Sequence, residues 1–431
     1  MLGLVLGGGG AKGAYEIGVW KALIEMGIDE KIKIAVGTSI GSLNAAFVAQ
    51  GDYEKALEMW MNFDAGKMLH VENYNELDPK EKRISSIQAL AKDMILEGGL
   101  EPTEYKNAIL QYIDEEAVRR CGIRYGAVAV DITNQKPVEK TLEDMKKGQL
   151  VDYIMASSAL APAVKAYEID GAKHIDGGFY DVVPVNMALD MGANEIIAVD
   201  LDVAGILKKT EDPERIRSMR YIKPYWDLGG VLTFDTEAVK RNIMLGYLDT
   251  LKVYDAFEGK AYTFIKDSKS KALEGFEKNS LQAIQTGISS NKSRFSFADN
   301  MMKKMWQATM QEREKRGCTK TNEIVACAEI VAEILKVDPT KLYTRSSLNE
   351  KIREKLAMVE AIPLRNSNLD ILANLTNDLS AISDEQKRLK YFAAEIANDL
   401  ENKRDIWIKS LAPIFTKEFF GGLYIAVHKL L

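Results

Sequence analysis

The sequence predicts an α/β fold with a mostly parallel central sheet over residues 1–267, followed by a mainly helical C-terminal region over residues 268–431. Three observations carry this. The first 50 residues read strand, glycine turn, helix, strand, turn, helix, the alternation that builds a parallel sheet. Compact β-branched runs recur at 124–133 (RYGAVAVDIT) and 195–201 (EIIAVDL). After residue 268 the chain turns polar and then charged, with helical spacing.

In order, LGLVL at 2–6 is a short apolar strand ended by glycine. AYEIGVWKALIEM at 14–26 places Ile17, Leu23 and Ile24 with Tyr15, Val19 and Trp20 at mostly helical spacing. KIKIAV at 31–36 is a second strand, and IGSLNAAFVAQ after the GTS turn is a second helix. Residues 55–118 are largely helical in character, with breaks at Pro79, Gly98, Gly99 and Pro102. Asp170 and Gly171 signal a hairpin before Asp176, and YTFIKD at 262–267 is expected to be the last strand of the α/β part.

In the C-terminal region, Met302, Trp306 and Met310 form a packing stripe at four-residue steps. SLNE (Ser347–Glu350) and SDEQ (Ser383–Gln386) fit capping boxes in front of amphipathic helices. The tail FFGGLYIAVHKLL is too short to cross a bilayer and reads as a buried last element or a shallow contact.

Composition excludes several functions. A formal charge of -6, from 57 basic and 63 acidic residues, provides no global positive field, so nucleic acid is not an expected partner. Cys121, Cys318 and Cys327 form no metal-knuckle or redox spacing and read as reduced thiols. The only histidines are His70, His174 and His428, too few for a multi-histidine metal site; neither metal nor cofactor is expected. With no basic leader and only five apolar residues before the glycines, the start reads as neither signal peptide nor membrane span, and a cytoplasmic location is expected.

Four consecutive glycines, Gly7–Gly10, followed by Ala11, Lys12 and Gly13, would each cost roughly 1 kcal/mol relative to alanine in regular structure, so a backbone without side chains must be needed here. The segment fits G-x-G-x-x-G, but the acidic residue expected after the second strand is missing, and Lys12 precedes glycine rather than the Ser or Thr of a phosphate loop. Gly37-Thr38-Ser39-Ile40-Gly41 is G-x-S-x-G between a strand and a helix, the setting that lifts a serine hydroxyl off a sheet edge. Ser39 is therefore the candidate nucleophile. Backbone N–H groups of Gly8, Gly9 and Gly10 are the candidate oxyanion donors, and Lys12 adds positive potential or binds a surface carboxylate.

Three groups could activate Ser39. His428 would complete a serine, acid, histidine order, but the nucleophile comes too early in the chain for that fold. His174 stands two residues from the third candidate, Asp176, whose IDGG setting would permit close packing against another loop. Desolvation can tune such a carboxylate into a base.

GGGGAKG, GTSIG and IDGG together resemble the patatin-like phospholipase family, bacterial lipid acyl hydrolases with a serine-aspartate dyad. The likeness falls on Gly8, Gly9, Gly10, Lys12 and Gly13, on Gly37, Ser39 and Gly41, and on Asp176, Gly177 and Gly178. ASSALAP, Ala156–Pro162, is similar to the family's serine- and proline-containing element. The resemblance covers about 1–200 and implies a three-layer core and lipid ester hydrolysis through an acyl-enzyme on Ser39, with Asp176 as base. It also implies a lipid or other acyl ester as partner, with reversible membrane contact for which Phe419, Phe420 and Tyr424 are the candidates. Residues 268–431 resemble nothing familiar; a non-catalytic lipid-binding or regulatory protein using that region to engage a partner is the alternative.

Overall fold

The apolar runs become strands buried on both faces, as a parallel sheet sandwiched by helices requires. The computed structural model describes residues 1–63, 99–232, 235–266, 296–317, 323–362 and 379–431 apart from 403 and 405, with short pieces between these spans. The chain divides into two units, Met1–Tyr254 and Asp255–Leu431.

The first unit runs β1 (Leu2–Leu6), α1 (Ala14–Glu25), β2 (Ile32–Thr38), α2 (Ile40–Gln50), α3 (Tyr53–Asn62), α4 (Thr103–Tyr112), α5 (Glu115–Arg120), β3 (Arg124–Asp131), β4 (Lys136–Thr141), α6 (Leu150–Ser157), β5 (Tyr167–Ile169), β6 (Ala172–Asp176), α7 (Val185–Asp190), β7 (Glu195–Val199), β8 (Ser218–Ile222) and α8 (Thr236–Val253). β3, β2, β1, β7 and β8 are parallel neighbours in that order; β4 and β6 join β3 antiparallel, and β5 pairs with β6. Period-2 alternation sends Leu4 and Leu6 into the core under α1 and α2, and Val5 into the core under α7. The hairpin turn forms where expected, with Asp170 at φ 49° and Gly171 at φ 83°, both in the left-handed region a two-residue hairpin turn needs.

The edges of β3 set the geometry of everything that follows. From Gly126 to Asp131 one edge is occupied throughout by β4. The other edge carries β2 up to Val128, which pairs with Thr38, and then β6 from Ala129, which pairs with Asp176. β2 and β6 therefore run head-on along one edge of β3, and their C-terminal ends meet at consecutive residues.

The second unit contains β9 (Phe257–Glu258), β10 (Thr263–Ile265), α9 (Ser296–Lys315), α10 (Glu323–Ile334), β11 (Leu342–Tyr343), α11 (Arg345–Met358), α12 (Glu385–Glu401) and α13 (Thr416–Val427). The strand expected at 262–267 forms as β10, but it pairs with β9 and β11 in a separate sheet instead of ending the main one. The Glu329 carboxylate fixes the approach to β10, accepting from the backbone N–H groups of Lys260, Ala261 and Tyr262 at 2.7, 3.0 and 3.1 Å and from Arg313 at 2.7 Å.

Both expected helix starts shift. α11 is capped by Thr344, with Ser347 as its reciprocal partner in the first turn, and α12 by Asp384, whose carboxylate accepts from Gln386 N–H at 2.9 Å. The better-placed oxygen acceptor, one turn earlier for α11 and one residue later for α12, wins the cap. The tail is α13, and it is not a surface element: Phe419 is buried with Phe392 and Leu423, Tyr424 is buried too, and the Phe420 ring lies tilted against Trp306 with centroids 4.3 Å apart. The membrane contact expected of these aromatics is thus overturned by their packing. No helix among the described residues is long and apolar enough to cross a membrane. Cys121 and Cys327 are not disulfide-bonded; His70, Pro79, Gly98 and Cys318 lie outside the described residues.

α1 and α8 approach closely through two glycines. A Cβ on Gly246 would lie 1.9 Å from Tyr15 O, and one on Gly18 would lie 1.8 Å from Ile243 O. Because backbone sits on the far side of each contact, no side chain can yield. Gly246→Ala is expected to lower stability by about 1–3 kcal/mol through overpacking, read as a shift in the urea midpoint; an unchanged midpoint would contradict this packing.

Candidate active site

Thr38 ends β2 and Ile40 begins α2, leaving Ser39 to make the whole turn at φ 54° and ψ -128°. This left-handed conformation in a non-glycine residue costs on the order of 1–3 kcal/mol and persists because its surroundings over-determine it. Ser39 N–H donates to Ser157 Oγ at 2.8 Å, and Ser157 Oγ donates to Val128 O at 2.5 Å. Thr38 Oγ1 donates to Asp181 O at 2.7 Å and Ser42 Oγ to Ser39 O at 2.6 Å. The flanking glycines are steric necessities: a Cβ on Gly37 would lie 2.1 Å from Gly41 O, and one on Gly41 2.3 Å from Leu6 O.

Asp176 reaches the same point from the opposite direction. Beyond it the chain folds over β3, where a Cβ on Gly177 would lie 2.3 Å from Val128 O and 3.0 Å from Thr38 Cγ2. The Asp176 carboxylate is 4% exposed and accepts from Gly178 N–H at 2.7 Å, with the Ser39 side chain near enough to influence its ionisation. Burial pushes its pKa up to about 6, against the opposing pull of the Ser39 hydroxyl and the Gly178 N–H. A second carboxyl in this turn, Asp181, is also pushed up to about 6 by burial, but its hydrogen-bond partners are the Lys208 and Val183 amides.

The glycine loop passes above β1 next to this pair. Gly8 faces the elbow, 3.3 Å separating its would-be Cβ from Ser39 Cβ, but its N–H donates to Val182 O at 3.0 Å. That amide is committed to the scaffold, which departs from the expectation of three donors. The Gly9 and Gly10 N–H groups make no backbone hydrogen bond among the described residues. Gly10 sits at φ 55°, its far side against Val231 O, to which Ala11 N–H donates at 2.7 Å. Lys12 Nζ donates to Asp202 O at 3.3 Å, and Gly13 packs against Ile40 and Trp60.

Beneath the loop lies Glu16, which the sequence reading passed over. It is buried in α1 and accepts from Asn44 Nδ2 of α2 at 2.7 Å; Asn44 also donates to Gly13 O at 3.0 Å and accepts from Trp60 Nε1 at 3.0 Å. Burial raises the Glu16 pKa to about 8, so at neutral pH it is an uncharged acid tying the glycine loop to the elbow helix. Ser157 was also missed as an individual residue, although ASSALAP marked its segment. Tyr105 had no sequence signal; burial pushes its phenol up and the charge of Asp176 adds to the shift, placing it beside the pair.

Two of the histidines lie among the described residues. His174 lies opposite Asp131 in the sheet, its Nδ1 3.0 Å from Ala172 O, and His428 stacks on Tyr424 at 4.3 Å in the second unit. Among the described residues no three His, Cys, Asp or Glu side chains are grouped so as to hold a metal ion.

Comparison with known proteins places this site in context. Residues 4–189 match the family model described as patatin-like phospholipase. Lysophospholipase NTE1 of Mycosarcoma maydis is 31% identical over 202 residues, 46% of this chain and 10% of that protein. Its namesake in Saccharomyces cerevisiae is 30% identical over 205 residues, 47% of this chain and 11% of that protein. The match thus spans about a tenth of those relatives' length. The crystal structure of VipD from Legionella pneumophila covers 99% of this chain and 91% of its own at 14% identity, with a TM-score of 0.35 that is too low to carry an argument. By the family match and these relatives, residues 4–189 are similar to the patatin-like phospholipase family.

Proposed function

We propose that the first unit is a serine hydrolase of lipid carboxylic esters, of the phospholipase A or lysophospholipase type, with Ser39 as nucleophile and Asp176 as its base. The observation that carries this reading is the meeting of a strained strand-to-helix turn at Ser39 with a buried carboxylate, Asp176, whose strand ends on the adjacent residue of β3. The relatives named lysophospholipases support the substrate class.

In this reading Ser39 Oγ attacks the ester carbonyl while Asp176 takes its proton. The carbonyl oxygen becomes an oxyanion facing the Gly9 and Gly10 N–H groups, preorganised donors that need no rearrangement. Asp176 returns the proton to the departing alcohol, leaving an acyl group on Ser39. Water, deprotonated by the same carboxylate, releases the fatty acid and restores the hydroxyl.

Ser39→Ala removes one oxygen with almost no loss of packed volume. It should melt like the parent, lose fluorophosphonate labelling and lose about 10³-fold or more in kcat on an aryl ester. Activity within about twofold of the parent rejects the nucleophile; a parent that neither labels nor hydrolyses any ester favours a non-catalytic lipid-binding protein.

Asp176 must be ionised to act, so kcat/KM should fall about tenfold per pH unit below about pH 6. The same group costs stability. Its folded pKa lies above its ordinary value of 3.8, so the penalty is absent where both states are protonated, grows as pH rises past that value, and is complete above about 6. Asp176→Asn should therefore be inactive yet more stable than the parent by up to about 3 kcal/mol at pH 8, with no gain at pH 3. Denaturant curves at the two pH values check this, and a gain independent of pH would contradict it.

Holding an acyl chain by apolar contact contributes roughly 0.8 kcal/mol per buried methylene, about fourfold in binding. Across esters of increasing acyl length, kcat/KM should rise until the groove is filled. A steady preference for acetyl esters would reject a lipid substrate.

A further inference from the structure

After β7 the chain reads Val203-Ala204-Gly205-Ile206-Leu207, an uncharged run in a loop. Val203 packs inward, but Ala204 to Leu207 are all exposed, Ile206 at 52% and Leu207 at 57%. Four consecutive exposed apolar residues are a defect in a protein surface unless they have a use.

The run is held fixed in its exposed position. Ile206 N–H donates to Gly178 O at 3.1 Å and Val182 N–H to Ile206 O at 2.7 Å; a Cβ on Gly205 would lie 2.2 Å from Val182 Cγ2. Further along, Lys208 N–H donates to Asp181 Oδ1 at 3.3 Å and Asn186 Nδ2 to Lys209 O at 3.0 Å. The backbone the run pairs with is that of the Asp176 turn, and the next residue of that turn, Phe179, is itself 46% exposed. Phe179, Ile206 and Leu207 thus belong to one rigid two-loop edge, joined to the candidate base through the Gly178 N–H bond to Asp176.

Charge brackets this edge. Lys12 Nζ reaches Asp202 O at the start of the run, and Lys208 and Lys209 follow its end. Asp202 is neutralised by Lys223 at 2.6 Å, and Lys208 has Glu211 at 3.9 Å. Neither Lys12 nor Lys209 has a carboxylate in ion-pair range among the described residues. Apolar tips of this size flanked by unpaired ammonium groups match the acyl boundary and phosphate layer of an anionic bilayer.

We propose that the edge formed by Phe179 and Ala204–Leu207, bracketed by Lys12 and Lys209, is where the protein seats on an anionic phospholipid surface, presenting Ser39 and Asp176 to the lipid. This rests on the reading of the first unit as a lipid hydrolase and names its docking surface.

The test is sedimentation of the full chain with phosphatidylcholine vesicles, with and without phosphatidylglycerol. Ile206→Ser combined with Leu207→Ser should lower vesicle partition about tenfold or more while leaving hydrolysis of a soluble short-chain ester within about twofold of the parent. Lys209→Glu should weaken binding to the phosphatidylglycerol vesicles and leave phosphatidylcholine binding unchanged. Ser39→Ala should sediment like the parent. If the soluble ester is hydrolysed and the double variant sediments like the parent, the surface is wrong and the hydrolase reading stands. If no ester is hydrolysed but the double variant alone loses sedimentation, the hydrolase reading is wrong and the surface stands. A parent that dimerises, with the double variant monomeric and vesicle binding unchanged, would overturn the proposal in favour of a contact between copies.

Discussion

β3 has a single free edge between Gly126 and Asp131, and two strands share it from opposite directions. Their ends, Thr38 and Asp176, pair with adjacent residues of β3, so the elbow serine and the aspartate are brought together by strand register alone. The consequences follow from crowding at this junction. β2 cannot continue, because β6 occupies its path, and the chain must leave the sheet in one residue. The residue that makes the turn is Ser39, forced to positive φ and held there by Ser157, whose hydroxyl bridges the serine amide to Val128 O. Glycines at 37, 41 and 177 are what allow three backbone segments to pass within a few ångström of one another.

The site is built at a cost that the fold absorbs elsewhere. Asp176 is kept nearly dry, and the Gly178 N–H and the Ser39 hydroxyl offset only part of the desolvation, so its carboxyl resists ionisation. Glu16, a short way beneath the glycine loop, is drier still and remains protonated at neutral pH. As a neutral acid it avoids burying a charge next to the glycine loop while still accepting from Asn44, which links α1 to α2 through Gly13 O. Close packing of α1 on α8 through Gly18 and Gly246, and of both cores against the sheet, provides the rigidity on which this arrangement depends.

The second unit shows where local reading runs out. α13 is buried as its apolar content permits, but the caps moved to Thr344 and Asp384 because any of several neighbouring oxygen acceptors satisfies the same local pattern. β10 was recognised as a strand and assigned to the wrong sheet. Its three residues carry no information about a partner, which here is the two-residue β11, distant in sequence.

In the first unit, the sequence by itself determined the elements up to α2, the hairpin at Asp170-Gly171 and the identity of Ser39 and Asp176 as a pair of interest. Period-2 and period-3.6 patterns, left-handed turn residues and glycine clusters are local signals, and they persist whatever the chain does elsewhere. Tertiary structure alone decided which groups stand around that pair. Gly8 lost its amide to Val182 O, Ser157 became the anchor of the elbow, Tyr105 and Glu16 entered its surroundings, and the run after β7 was held out beside the Asp176 turn. Each of these depends on strand register or on loops far apart in sequence, and register is set by which faces are buried, a property of the assembled sheet rather than of any segment.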